Sequence, residues 1–471
     1  MPLREDDAAG PDPSPAPGFG TATATFVVVS SMVGAGVLTT SGYTVADIRS
    51  HSLALVLWSL GGLAAACGAL TLAELAASLP RSGGEYVILR AAYGPLAGFL
   101  AGWTSFLLGF AAPIAAAASA AAGYLLEPWP HPAWAEPALA SLAIAGCTMG
   151  HVAGRKGTAG LQGMFGVLTI GLLMTYAIAG LVAGHAHGAN LADWHQFDRH
   201  RWPRAITALV YVSYAYTGWN GAAYIAGEVK QPGRNVPRAI LIGSGLVLVL
   251  YLALNTAYAL AIPSGEIVEL AEADGVDAVK PIAALAARRL WGPGVTRALA
   301  IVFGLVLVAS LSALILSGSR VVWAMARDGL FPGFAARLSA GGGVPVRATL
   351  LLSGLSMALL WTGTFRELVV FASVGLALGS MAAIAAIFVL RRAQPDLPRP
   401  FRTPLYPVVP AAYLAITGAL VIAALLDPQE GPPARWSLVG ILAGCPFYGL
   451  LGRGLGQKMV SGTVFAHKNG S

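Results

Sequence analysis

Phe26 to Leu38 is an apolar run interrupted at its centre by Gly34-Ala35-Gly36. Inside a bilayer, a spanning segment must satisfy its own backbone N–H and C=O groups, so only helices and closed barrels cross. Glycines in such a run invite unwinding. Unwinding is tolerated only where the freed groups line a cavity or meet a ligand. A second interruption follows at Thr217-Gly218-Trp219-Asn220-Gly221. Two broken apolar segments in matching positions of two halves point to a binding site near the bilayer midplane. Glycines that only permit close helix packing are the alternative reading.

The rest of the chain has the composition of a polytopic membrane protein. It is 56% hydrophobic and 11% charged, against roughly 25% charged residues in soluble domains. A helix needs about 20 apolar residues to cross. Twelve spans are expected, at 20–45, 52–79, 95–125, 137–154, 158–184, 204–229, 237–263, 293–326, 346–363, 366–391, 405–426 and 436–452. With both termini cytoplasmic, 19 of the 29 basic residues fall on the inner side, as the positive-inside rule requires. The net charge of +7 therefore reflects orientation and is no nucleic-acid signal. Residues 1–18 are Pro-rich without an apolar core and read as a disordered cytoplasmic tail. Residues 453–471 read as a cytoplasmic C-terminal tail.

Cys67, Cys147 and Cys445 all fall in apolar segments, so no disulfide framework or zinc spacing is expected. The outer loop 185–204 holds His185, His187, His195 and His200. These read as solvated side chains because no carboxylate or cysteine ligand spacing accompanies them. Residues 264–292 form the longest outer loop, with a surface helix expected from Lys280 to Leu290. His51 is assigned to the first outer loop. No metalloprotease, nucleophile-elbow or phosphate-loop motif is present, so an enzyme is not expected, and no cofactor.

Four stretches resemble the amino acid–polyamine–organocation superfamily of transporters. They are Gly34-Ala35-Gly36-Val37-Leu38; Ala73-Glu74-Leu75 with Leu79-Pro80-Arg81-Ser82-Gly83-Gly84-Glu85-Tyr86; Tyr214 to Asn220 with Glu228-Val229-Lys230-Gln231-Pro232 and Arg234-Asn235-Val236-Pro237; and Arg320 with Ala326 to Pro332. The resemblance implies an all-α fold of five spans repeated in inverted topology, plus two C-terminal helices. Repeat one would cover about 20–184, repeat two about 204–391 and the last helices about 405–452 of a transporter domain at 19–452. It implies an amino acid as the small-molecule substrate and the plasma or inner membrane as location. It places the substrate against Ser31, Val33, Gly34, Ala35, Gly36 and Val37 of the first break. From the second break it adds Tyr214, Ala215, Tyr216, Thr217, Gly218 and Asn220, with Tyr214 as an aromatic gate.

The chemistry of two breaks suits a zwitterion. N–H groups at the start of a half-helix carry a partial positive charge of roughly half a unit and bind a carboxylate without a basic side chain. Carbonyls near Tyr214, Ala215 and Thr217 suit an ammonium. Ionisable residues within a membrane are costly, and the candidates, Glu74, Glu228, Arg90 and Arg320, all lie near cytoplasmic ends. Glu74, Glu228 and Arg320 are expected at an inner gate, with Glu74 or Glu228 paired to Arg81 or Arg320. No carboxylate is expected at pocket depth. Asn220 is neutral where some basic-substrate members of the family have an acid. A neutral amino acid is therefore the expected substrate.

The fifth span departs from the family pattern. Gln162-Gly163-Met164-Phe165 is followed four residues after the phenylalanine by Thr169, where many members have a lysine. With Thr169 there, the carbonyls of Ser30 and Val33 and the hydroxyl of Ser310 form a candidate sodium site of hard oxygen donors. Hydroxyls that only bond to helix carbonyls are the alternative. Sodium or proton coupling, sodium-independent exchange, uptake of basic amino acids or polyamines, and a channel or sensor on the same scaffold all stay open at this stage.

Overall fold

A computed structural model describes residues 19–81, 83–153, 158–194, 201–339 and 344–450. The two expected tails, residues 1–18 and 453–471, lie outside these residues. The described chain is helical, with one isolated bridge between Phe19 and Val229. In chain order the helices are α1 (Thr21–Met32), α2 (Ser41–Ile48), α3 (His51–Ser78), α4 (Glu85–Tyr93), α5 (Pro95–Thr104), α6 (Ala112–Leu126), α7 (Ala135–Ala153), α8 (Thr158–Gly184) and α9 (Trp202–Ala215). They continue as α10 (Gly221–Tyr224), α11 (Pro232–Ala261), α12 (Ser264–Ala273), α13 (Ile282–Arg327), α14 (Val346–Thr362), α15 (Phe365–Ala393), α16 (Val408–Leu426) and α17 (Gly431–Leu442). Eight helical stretches among the described residues are long and apolar enough to cross a membrane. The remaining expected spans coincide with α7, which is long enough but less apolar, with the shorter α14 and α17, and with the interrupted pair α9 and α10.

Local sequence explains where elements start and bend. Ser50 accepts a hydrogen bond from the Leu53 N–H at the start of α3, and Thr364 and Glu367 form a reciprocal capping box on α15. Proline stands in the first turn of α5, α9 and α11, where its missing N–H costs nothing. Gly292, at a φ of 80°, and Pro293 kink α13. The kink divides a short segment, Ile282 to Trp291, from the long span.

Helix α3 packs along α11, α6 along α13 and α1 along α11. The alanines of α6 between Ala112 and Ala122 are almost completely buried, which lets α13 and α15 approach closely. Large apolar side chains left exposed, such as Leu142, Val182 and Val249, lie on helix faces where lipid would cover them. Exposed tryptophans 129, 134, 194, 202, 361 and 436 sit at helix ends or in loops on the expected outer side, the pattern of an interfacial belt.

The outer loop differs from expectation. Its acidic stretch is itself helical, α12, and Lys280 is buried rather than on a surface helix. The Lys280 ammonium pairs with Glu136 of α7 and lies 5.8 Å from the Phe365 ring centroid. His51 is also buried. Its ring bonds to the Ile262 carbonyl, and its N–H donates to Asp193. Asp193 further accepts from the Ser52 N–H and the Ser50 hydroxyl, so one carboxylate clamps the loop after α8 onto the start of α3. The side chains of His185 and His187, and residues His195 and His200, lie outside what is described. Among the described residues no group of histidines, cysteines and acids could hold a metal.

Candidate functional site

The first apolar span is broken where its glycines stand. Helix α1 ends at Met32, a π-helical turn runs from Gly36 to Thr40, and α2 follows. Val33 and Gly34 belong to no hydrogen-bonded turn. The N–H groups of Gly34, Ala35, Gly36 and Val37 are therefore without a helical carbonyl. The carbonyls of Ser30, Ser31, Met32 and Val33 are likewise without a helical N–H. The Met32 carbonyl is served instead by the Tyr251 hydroxyl of α11 at 2.7 Å, and the Ala215 carbonyl lies 3.1 Å from the same oxygen. Tyr251 thus touches the backbone of both breaks.

The second break falls between α9 and α10, where residues 216–220 form turns. Gly218 has a φ of 99°, a conformation that favours glycine. The two breaks are in direct contact. A Cβ on Gly36 would overlap the Ala215 backbone, and one on Gly218 would overlap the Ser31 carbonyl. A Cβ on Gly221 would stand 2.8 Å from the Ser31 hydroxyl. Both breaks therefore require glycine for close approach, and the second requires it at Gly218 for backbone conformation as well.

Side chains around the breaks divide into two sets. Ser310 of α13 approaches the first break, with its hydroxyl 3.1 Å from where a Gly34 Cβ would be. Ser30 donates to the Phe26 carbonyl at 2.5 Å, so only its carbonyl is turned over to the break. Thr169 is buried on α8, and α8 packs against α1. Tyr214 is buried, but its carbonyl already accepts from the Thr217 N–H at 3.0 Å and the Thr217 hydroxyl at 2.7 Å. This corrects the expectation that the Tyr214 carbonyl is open to an ammonium. Tyr216 turns its ring into a cluster with Trp58 and Tyr251.

Asn220 has a partner the sequence reading missed. Its amide donates to Glu85 at 3.1 Å. Glu85, the first residue of α4 and outside the long apolar helices, is buried. The expectation of no carboxylate near the pocket is therefore corrected. Burial pushes the Glu85 carboxyl up to about 7, against hydrogen bonds from Asn220 and Ser380 that pull it down. The signal was present in Ser82-Gly83-Gly84-Glu85-Tyr86. Nothing local to that stretch shows that it folds back under the sixth span.

Access to the breaks is one-sided. Ser31 is exposed, whereas every residue from Ala35 to Val45 is buried. On the buried side Gly42 packs on the Val279 carbonyl, and the Tyr43 hydroxyl donates to Asp277. Arg366 of α15 lies 2.5 Å from Glu430 and 3.4 Å from Asp47 of α2. The Tyr211 hydroxyl donates to the same Glu430 at 2.5 Å. The network joins α2, α9, α15 and the start of α17 across the face expected to be outer.

Of the expected inner gate, Glu74 is buried and accepts from Arg391 at 2.9 and 2.7 Å and from the Thr403 N–H at 2.6 Å. Arg399 stands 3.7 Å away. Its ion partners are therefore Arg391 and Arg399, not Arg81 or Arg320. The Glu228 carboxylate forms no ion pair among the described residues, and its backbone carbonyl accepts from the Phe19 N–H at 3.1 Å. Arg320 is exposed. Glu74 anchors the loop between α15 and α16 to α3, and the three residues do not converge on one gate.

The family model for amino acid permeases matches residues 19–446. The chain belongs to this family. Relatives of the permease include the Asc-type amino acid transporter 1 of Mus musculus, 27% identical over 432 residues, which cover 90% of this chain and 78% of the relative. The large neutral amino acids transporter small subunit 2 of Homo sapiens is 27% identical over 433 residues, with 90% and 78% covered. The cystine/glutamate transporter of Pongo abelii is 26% identical over 429 residues, with 90% and 82% covered. The permease is an integral membrane transporter of the amino acid–polyamine–organocation superfamily and not an enzyme.

Proposed function

We propose that the permease carries neutral L-amino acids across the cytoplasmic membrane by alternating access. The observation that carries this reading is the contact between two broken spans, one offering four N–H groups without helical partners and the other freed carbonyls. The substrate carboxylate binds the N–H groups of Gly34 to Val37, where a half-helix begins. The ammonium binds the carbonyls of Ala215 and Thr217, since that of Tyr214 is already engaged. The Tyr214 ring covers the bound substrate.

Exposure of Ser31 beside a buried outer half corresponds to a state open towards the cytoplasm, with both termini on that side. Opening the outer face then requires Asp47 and Glu430 to separate from Arg366. Packing of α3 on α11 and of α6 on α13 brings together like members of two five-span units, which supports the inverted repeat followed by two further helices. Glu85 does not argue for a cationic substrate, because burial favours its neutral form and Asn220 already engages one of its oxygens.

Counterflow in liposomes tests the reading. The purified permease, with alanine, serine or leucine inside, should accumulate labelled neutral amino acids. Preference for arginine, lysine or putrescine over all three would overturn the neutral assignment. Leakage with no counterflow would favour a channel.

A further inference from the structure

We propose that a cleft at the start of α11 binds the headgroup phosphate of an anionic phospholipid. The cleft has a volume of about 640 Å³, and Arg234, Arg238, Pro237, Leu241, Pro400 and Phe401 line it. No acid lines it. The Arg234 and Arg238 side chains are exposed and form no ion pair or hydrogen bond among the described residues. Arg366 and Arg391, by contrast, each hold a buried acid.

Arg234 and Arg238 stand one helical turn apart on the same face, where like charges repel. An anion between them removes that repulsion and accepts from two guanidinium forks. A soluble anion would meet these requirements, but the helix face beyond them selects a lipid. Ile242, Leu246 and Val249 continue the same stripe and are 50%, 56% and 66% exposed. From Arg238 to Val249 the stripe rises about 16 Å, close to the roughly 15 Å of one leaflet's hydrocarbon. The arginines thus end an apolar track as long as an acyl chain. Pro237, Leu241 and Phe401 give the glycerol region an apolar wall. A zwitterionic headgroup would bring an ammonium that finds no acid in the cleft, so the net charge of the lipid decides.

The test uses the full chain in detergent, titrated with phosphatidylglycerol or phosphatidylcholine, with bound lipid counted by native mass spectrometry. This measurement does not depend on orientation or on transport. Wild type should retain phosphatidylglycerol about 30-fold more tightly, the factor expected of two basic residues at an anionic surface. R234Q/R238Q should lose most of that preference, while R337Q/R347Q, removing equal charge elsewhere, should keep it. Soluble glycerol phosphate should not displace the lipid. Preference that survives R234Q/R238Q would overturn the site. An equal loss in R337Q/R347Q would reduce it to net charge, and displacement by glycerol phosphate would assign the cleft to a soluble anion.

Discussion

The Tyr251 hydroxyl donates to the Met32 carbonyl at 2.7 Å and so satisfies a group that the break in the first span removed from its helix. Removing one partner of a buried hydrogen bond leaves the other unsatisfied, at a cost of about 1–3 kcal/mol. Tyr251→Phe keeps the ring packing against Trp58 and deletes only the donor. It should lower the melting temperature and slow exchange at unchanged expression. A melting profile and exchange rate equal to wild type would show that the Met32 carbonyl finds water instead.

Gly36 and Ala215 meet backbone to backbone, with no room for a Cβ on Gly36. Gly36→Ala should therefore cut transport by about fivefold or more, since a core forced apart typically loses about 1–3 kcal/mol. Gly146 of α7 has open space at the same point, and Gly146→Ala should be silent. Both variants transporting normally would remove the close approach of the two breaks from the mechanism.

The breaks were legible because glycine in an apolar run is a local signal with a physical meaning. Family membership was legible for the same reason, since its motifs surround those glycines. What the sequence concealed is contact between distant stretches. Glu85 lies 135 residues from Asn220, and Glu74 lies 317 from Arg391. A carboxylate in sequence carries no mark of the partner it will meet. Lys280 looked like a surface residue because apolar spacing follows it, yet Glu136 draws it inside. The Tyr214 carbonyl was misjudged on a smaller scale, since the turn that frees it also supplies the Thr217 donors.

The Glu74–Arg391 pair is predicted to be an anchor and not a proton relay. Breaking a buried pair by removing one partner costs about 3–5 kcal/mol. Glu74→Gln should lower stability markedly while leaving the pH profile of transport unmoved. Restoring stability with E74M/R391M would support the anchoring role. A shifted pH profile at full stability would instead make Glu74 a titrating part of the cycle.

Glu85 has the opposite signature. Its carboxyl is held at about 7 in the folded chain, above the roughly 4.3 of an unperturbed glutamate. The folded state binds the extra proton, so stability is highest below the unfolded value and falls as pH rises towards about 7. Melting temperature should therefore decline between about pH 4.3 and pH 7 in wild type. Glu85→Gln, which cannot ionise, should flatten that decline. Identical slopes in the two proteins would mean that Glu85 stays charged throughout, with water or an ion screening it.

Ser310 decides between sodium coupling and sodium-independent exchange. Its hydroxyl approaches Gly34, and the carbonyls of Ser30 and Val33 there have no helical N–H. Three oxygens from α1 and α13 suit a hard cation, with Thr169 of α8 as a further donor. An ion bound there would hold the break in one shape, so substrate and ion would strengthen each other's binding by the same factor. Substrate affinity should rise several-fold in sodium over choline, and Ser310→Ala should remove the increase while leaving affinity in choline unchanged. Equal affinity in both buffers, with Ser310→Ala silent, would assign the permease to sodium-independent exchange and leave Ser310 a packing residue beside Gly34.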